Sequence, residues 1–295
     1  MTLMMNEEGH FRIAQVTDVH LNDYPLSEND QAILRDLQAG LEALQPDLIM
    51  ITGDFVNSYQ NNQEEAIVRT FFDFLNRFQV PKAVTFGNHD SEHQVSRQDL
   101  EHLFEEIVDY RVDRHYESTV DGMTQYVVEI VNQDQSLNRV LYVLDSGQVA
   151  PGDDKTNDWI LPEQVDWFRQ TAPHYQSCHD NLVFIHIPLP EYLRAKTNIV
   201  SGELREPKQL ISTSRINTGL FSELFFSQQI HGVFCGHNHL NNAEMIWEDI
   251  HLYYGLFSGK ETKAGDFRGL RYIDLSNQPN QTSVTSACLF YKDLI

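Results

Sequence analysis

Three cysteines in 295 residues, Cys178, Cys235 and Cys288, are too few and too widely spaced for a disulfide framework or a thiolate metal knuckle. They read as small buried apolar residues. No apolar run approaches the roughly 18 residues of a membrane-spanning helix, and the nearest, Leu48 to Thr52, is strand-sized. The opening MTLMMNEEGH lacks a basic flank, and Asn6, Glu7 and Glu8 break its apolar stretch, so it does not read as a targeting signal. Basic residues are scarce too: 21 Lys and Arg against 43 Asp and Glu give a formal charge of −22. Without a basic stripe to displace counterions from a phosphate backbone, long nucleic acid is argued against as a partner. The expectation is a cytoplasmic protein with no membrane association.

Strand-like and helix-like segments alternate. Ile13 to Thr17 is a short β-rich run, and Ser27 to Leu44 then shows the helical spacing Ile33, Leu34, Leu37, Leu41, Leu44. Asp47 to Thr52 reads as a second strand, Gln63 to Phe78 as a second amphipathic helix and Ala83 to Phe86 as a third strand. This order predicts a mainly parallel sheet covered by helices. Further strands are expected at 125–130, 140–144, 181–186 and 232–235. The tail segments 243–247, 251–254, 271–275 and 283–291 follow one another with little helix between them, which suggests antiparallel pairing. With no repeat, low-complexity block or linker, residues 1–295 read as one α/β domain: two sheets packed face to face with helices outside.

Ligands in open α/β sheets gather beyond the carboxyl ends of strands, and here those ends carry chemistry. They read T-D-V-H-L-N from Thr17, T-G-D-F-V-N from Thr52, F-G-N-H-D from Phe86, F-I-H-I-P from Phe184 and C-G-H-N-H from Cys235. Five of the 13 histidines, His20, His89, His186, His237 and His239, fall in these stretches. In extended backbone, residues two apart share a face, so Asp18 and His20 are expected to grip one ion together. His237 and His239 would project the same way, unless a turn sends them to different ions. Carboxylate, amide and imidazole donors without thiolate suit Mn, Fe or Zn.

D-x-H, G-D, G-N-H-D, a lone His after a strand, and G-H-x-H, in that order from Asp18 to His239, resemble the calcineurin-like metallophosphoesterase superfamily. The resemblance implies an αββα fold, a β-sandwich flanked by helices on both sides. It also implies two divalent ions, one held by Asp18, His20, Asp54 and His239, the other by Asp54, Asn88, His186 and His237, with Asp54 bridging. L-D-S-G from Leu144, D-W-I-L-P-E-Q from Asp158, H-I-P-L-P-E-Y from His186 and I-N-T-G-L-F from Ile216 are similar to the short single-domain branch related to purple acid phosphatases. True purple acid phosphatases place a tyrosine three residues after the G-D aspartate, where this chain has Asn57, and they lack the histidine supplied by His20. A tyrosinate-to-iron colour is therefore not expected.

Two divalent ions about 4 Å apart can share a water, acidify it and polarise phosphoryl oxygens. The resemblance to the purple-acid-phosphatase-related branch implies hydrolysis of phosphate monoesters, of small metabolites or phosphoproteins, by metal-activated hydroxide. His89, next to Asn88, is expected to face the substrate and protonate the leaving oxygen, with Asp90 orienting its ring. Asn88 and His89 are the expected substrate contacts. A phosphodiesterase acting on cyclic nucleotides or other small diesters is the alternative, and a non-catalytic metal-stabilised scaffold a third. Arg194, Lys196, Arg205, Lys208 and Arg215 could form a rim for anionic substrate. Loops 147–158 and 255–269 are other candidate walls, and Asn22 is a further candidate to face the site.

Overall fold

A computed structural model describes residues 1–150 and 156–294. Leu48–Thr52 is Leu-Ile-Met-Ile-Thr, apolar up to its last residue, the composition a strand needs when both its faces are covered. All five residues are buried. Ile49 and Ile51 face a layer of helices, whereas Leu48 and Met50 face a second sheet. The same alternation in His10–Val16 sends Phe11 and Ile13 inward to the other sheet and Ala14 and Val16 out to the helices.

These strands belong to a five-stranded sheet ordered Val284–Phe290, Gly269–Ser276, His10–Val16, Leu48–Thr52, Lys82–Thr85. The last three run parallel, and Gly269–Ser276 pairs antiparallel with both Val284–Phe290 and His10–Val16. Among the described residues the other sheet has nine strands, with a parallel centre formed by Leu137–Leu144, Asn181–Phe184, Ile230–Cys235 and Ile250–Tyr254. The expected antiparallel tail therefore forms as two hairpins, one in each sheet. Helices Glu28–Leu44, Glu64–Leu75 and Arg97–Ile107 cover the smaller sheet, and Pro162–Thr171, Tyr192–Ala195 and Leu220–Ser227 the larger. The result is the αββα sandwich.

The helix Arg97–Ile107 carried a readable start signal: Ser96 accepts from the Asp99 amide while the Asp99 side chain accepts from the Ser96 amide, a reciprocal cap. Cys178 and Cys235 are buried as expected, but Cys288 is only half-buried, because Val284–Phe290 is an edge strand. No helix among the described residues is long and apolar enough to cross a membrane.

Candidate metal centre

Parallel strands all end at one edge of a sheet, so the chain delivers its strand-end residues to one place. Asp18 and His20 follow His10–Val16, Asp54 follows Leu48–Thr52, and Asn88 follows Lys82–Thr85. His186 follows Asn181–Phe184, while His237 and His239 follow Ile230–Cys235. The local backbone is not the extended one expected for D-x-H. Asp18, His20, Asp54 and His237 all have positive φ, at 56°, 50°, 54° and 72°. Such a conformation costs on the order of 1 kcal/mol for a residue with a Cβ, and interlocking hydrogen bonds hold it. The Asp18 amide donates to the Gly53 carbonyl and the His20 amide to that of Asp54, each at 2.9 Å. Gly87 permits this closeness, since a Cβ there would lie 2.1 Å from Asp54 Oδ1.

The candidate ligands form two groups. Asp18, His20 and His239 are one, and Asp54, His186 and His237 the other, with ligand atoms within 4.8 Å in each. In the first, His20 Nε2 lies 3.0 Å from His239 Nε2, which lies 3.5 Å from Asp18 Oδ1. In the second, Asn88 Oδ1 lies 3.1 Å from His186 Nε2 and 2.7 Å from His237 Nδ1. Asp54 Oδ2 touches both groups, at 3.0 Å from His186 Nε2 and 3.6 Å from His20 Nε2. His237 and His239 thus go to different groups, because the turn at His237 breaks the two-residue repeat.

Electron pairs crowded this closely repel unless positive charge lies among them. Burial alone would lower His186 and His239, but Asp54 lifts His186 to about 9, and Asp18 and Glu261 lift His239 to about 10. Burial and His239 push His20 down to about 4, and burial with His186 and His239 pushes His237 down to about 3. Burial would raise the Asp54 carboxyl, yet His186 holds it well below the usual range. A set of carboxylate, amide and imidazole donors that draws in protons this strongly fits two divalent cations.

His89 is 38% exposed at the mouth of the site, its amide donating to Asp54 Oδ1 at 2.8 Å and its ring 5.4 Å from that of His20. Asp90 does not orient that ring. Its fully buried carboxylate accepts from the backbone amides of Asp54, Phe55, Val56 and Gly87 at 2.7–3.2 Å, clamping the G-D and G-N-H-D loops together. The ring partner is Glu92, whose Oε2 lies 2.7 Å from His89 Nδ1. Asp90→Ala would leave four buried amides without an acceptor and is expected to cost roughly 3 kcal/mol or more. Urea denaturation should register this as a lower midpoint, and an unchanged midpoint would refute the clamp.

Two further partners sit on loops without a motif. Glu261 Oε1 accepts from His239 Nδ1 at 2.8 Å, and Asn157 Nδ2 lies 3.0 Å from His237 Nε2. Loops 147–158 and 255–269 therefore both reach the centre, although residues 151–155 lie outside the described residues. Asn57 donates to Asn22 Oδ1 at 3.0 Å, so the place of the missing tyrosine is taken by an amide pair. The basic stretch divides. Arg205 stacks on Phe267 beside the strand-end segment of His239, its amide bonded to the Leu240 carbonyl, whereas Arg194 lines a separate groove with Phe225 and Trp247.

The calcineurin-like phosphoesterase model matches residues 11–241, the whole span of these strand ends. The chain belongs to the calcineurin-like phosphoesterase family. Probable inactive purple acid phosphatase 29 of Arabidopsis thaliana is 26% identical, over 86% of this chain and 73% of that protein. Phosphatase DCR2 of Saccharomyces cerevisiae is 27% identical over 81% of this chain but only 46% of its own length. Among solved structures, a dimetal phosphatase from Danio rerio shares the calcineurin-like phosphoesterase fold with a TM-score of 0.63 at 13% identity, covering 95% of this chain and 99% of that one. GAP50, the anchor in the inner membrane complex of Plasmodium, aligns with a TM-score of 0.56 at 12% identity, over 96% and 85% of the two chains.

Proposed function

We propose that this calcineurin-like phosphoesterase hydrolyses phosphate monoesters, of small metabolites or phosphoproteins, in the cytoplasm, through residues 1–295 acting as one domain. The observation that carries the reading is the contact of Asp54 Oδ2 with both ligand groups beneath the exposed ring of His89. Asp18, His20, Asp54 and His239 would hold one ion, and Asp54, Asn88, His186 and His237 the other, with Mn, Fe or Zn matching the donors. When bound, two such ions polarise the phosphoryl oxygens and acidify a water at neutral pH.

The chain's own residues do the rest. His186 donates its Nδ1 proton to the Thr52 carbonyl at 2.7 Å and so aims Nε2 at Asp54 and Asn88. Glu92 fixes His89 through Nδ1, leaving Nε2 to hand a proton to the leaving oxygen. Burial would lower the His89 pKa, but the bond to Glu92 and the charge of Asp54 outweigh it and raise it. The protonated acid then persists to higher pH, and activity fades as pH rises through that pKa. Glu92→Gln is expected to move the alkaline limb of the kcat/KM profile to lower pH. An unmoved limb would separate Glu92 from the acid.

The deciding assay reloads the purified protein separately with Mn(II), Fe(II) and Zn(II) and offers a chromogenic phosphate monoester and its matching diester. Preference for the monoester supports the proposal. Preference for the diester replaces it with a phosphodiesterase, and two bound ions without turnover of either leave a binding scaffold.

A further inference from the structure

Glu261 lies outside every motif, in G-K-E-T-K, where a glutamate next to lysines reads as an ordinary surface acid. Its place in the fold is specific. The Ser258 amide donates to the Thr17 carbonyl at 3.0 Å, and the Gly259 amide to that of Asp18 at 2.9 Å. These bonds dock segment 257–261 directly on the D-x-H turn. Gly259 makes the approach possible, because a Cβ there would lie 2.6 Å from the Val19 carbonyl oxygen. Phe257 stacks on the His239 ring, centroids 4.5 Å apart and planes within 14°. Glu261 Oε1 then meets His239 Nδ1 at 2.8 Å, while Oε2 takes Lys263 Nζ at 3.1 Å.

We infer that Glu261 is a positioning residue for the first metal position, fixing His239 so that Nε2 faces the ion beside His20 and Asp18. A ring donating Nδ1–H to a carboxylate keeps its electron pair on Nε2, and the anionic acceptor makes that nitrogen a better donor. Phe257 holds the ring plane and Glu261 its rotation. Among the described residues no carboxylate plays this role at the second position, where the Thr52 carbonyl holds His186 and Asn157 holds His237. The inference rests on the dinuclear reading above.

The test is Mn(II) binding to chelator-stripped protein, by competition with a chromophoric chelator, alongside the melting temperature of the stripped protein. Wild type should take up two ions. Glu261→Leu should weaken one of them by roughly 10- to 100-fold and leave the other unchanged. Glu261→Gln, which can still accept the hydrogen bond, should lose less. Lys263→Ala, which removes only the surface ion pair, should lose nothing. Wild-type affinity for both ions in Glu261→Leu would overturn the inference and leave the dinuclear reading intact. Loss at both positions with a lower melting temperature would make Glu261 structural instead and also overturn it. No Mn(II) uptake by wild type would remove both readings together.

Discussion

Asp54→Asn is expected to release both metal ions and to lower turnover by more than about 1,000-fold, since even one lost electrostatic contact in an active site costs about 100- to 1,000-fold. Asp54 Oδ2 is the atom in contact with both ligand groups, so replacing its charge with a neutral amide weakens both positions at once. The effect should exceed that of Asn88→Ala, which touches the second group alone. The other Asp54 hydrogen bonds, from its own amide to the Asp90 carboxylate, from the His20 amide to its carbonyl and from the His89 amide to Oδ1, can all be kept with an amide side chain. The variant should therefore stay folded. Elemental analysis after dialysis against limiting Mn(II) measures the outcome, and two retained ions would show that Asp54 is not the shared ligand.

His89→Ala is expected to behave in the opposite way: full metal content, with kcat down by roughly 100- to 10,000-fold, the range for loss of an acid catalyst. The His89 side chain belongs to neither ligand group and bonds Glu92 through Nδ1, so its removal opens no ligand shell. The deficit should also depend on the substrate. A nitrophenolate leaves without help, whereas an alkoxide needs the proton, so the loss should be larger for an alkyl phosphate. Equal losses on the two substrates would assign His89 to phosphoryl binding rather than proton transfer. Both substitutions also bear on the scaffold reading, since several relatives carry the word inactive in their names. Here the ligand residues and His89 stand together, and measurable wild-type turnover that collapses in either variant would exclude a scaffold.

Much of the centre was readable because its side chains sit at strand ends. A buried strand announces itself by composition, as Leu48–Thr52 does, and the residue after it has few directions to go. Five such ends bearing Asp, Asn or His were enough to name the seven candidate ligands and, by resemblance, their division into two groups. Adjacency in sequence suggests Asp90 as the partner of His89, yet the turn at Gly87–Asp90 folds that carboxylate back onto four amides. Glu92, two residues on, comes round to the ring instead.

From sequence alone came two facing sheets with helices outside, most of the strands, and the identity of the chemistry-bearing residues, because periodicity and composition are local properties, while the strands Leu3–Met4, His115–Val120 and Ile199–Ser201 carry no such signal. Only the tertiary structure decided that Asp18, His20, Asp54 and His237 converge through left-handed backbone rather than along extended strands. It alone brought Glu261 to His239 and Asn157 to His237 across separations of 22 and 80 residues. A loop acid or amide has no pattern of its own, and what it touches is set by which loops the two sheets bring to the same edge.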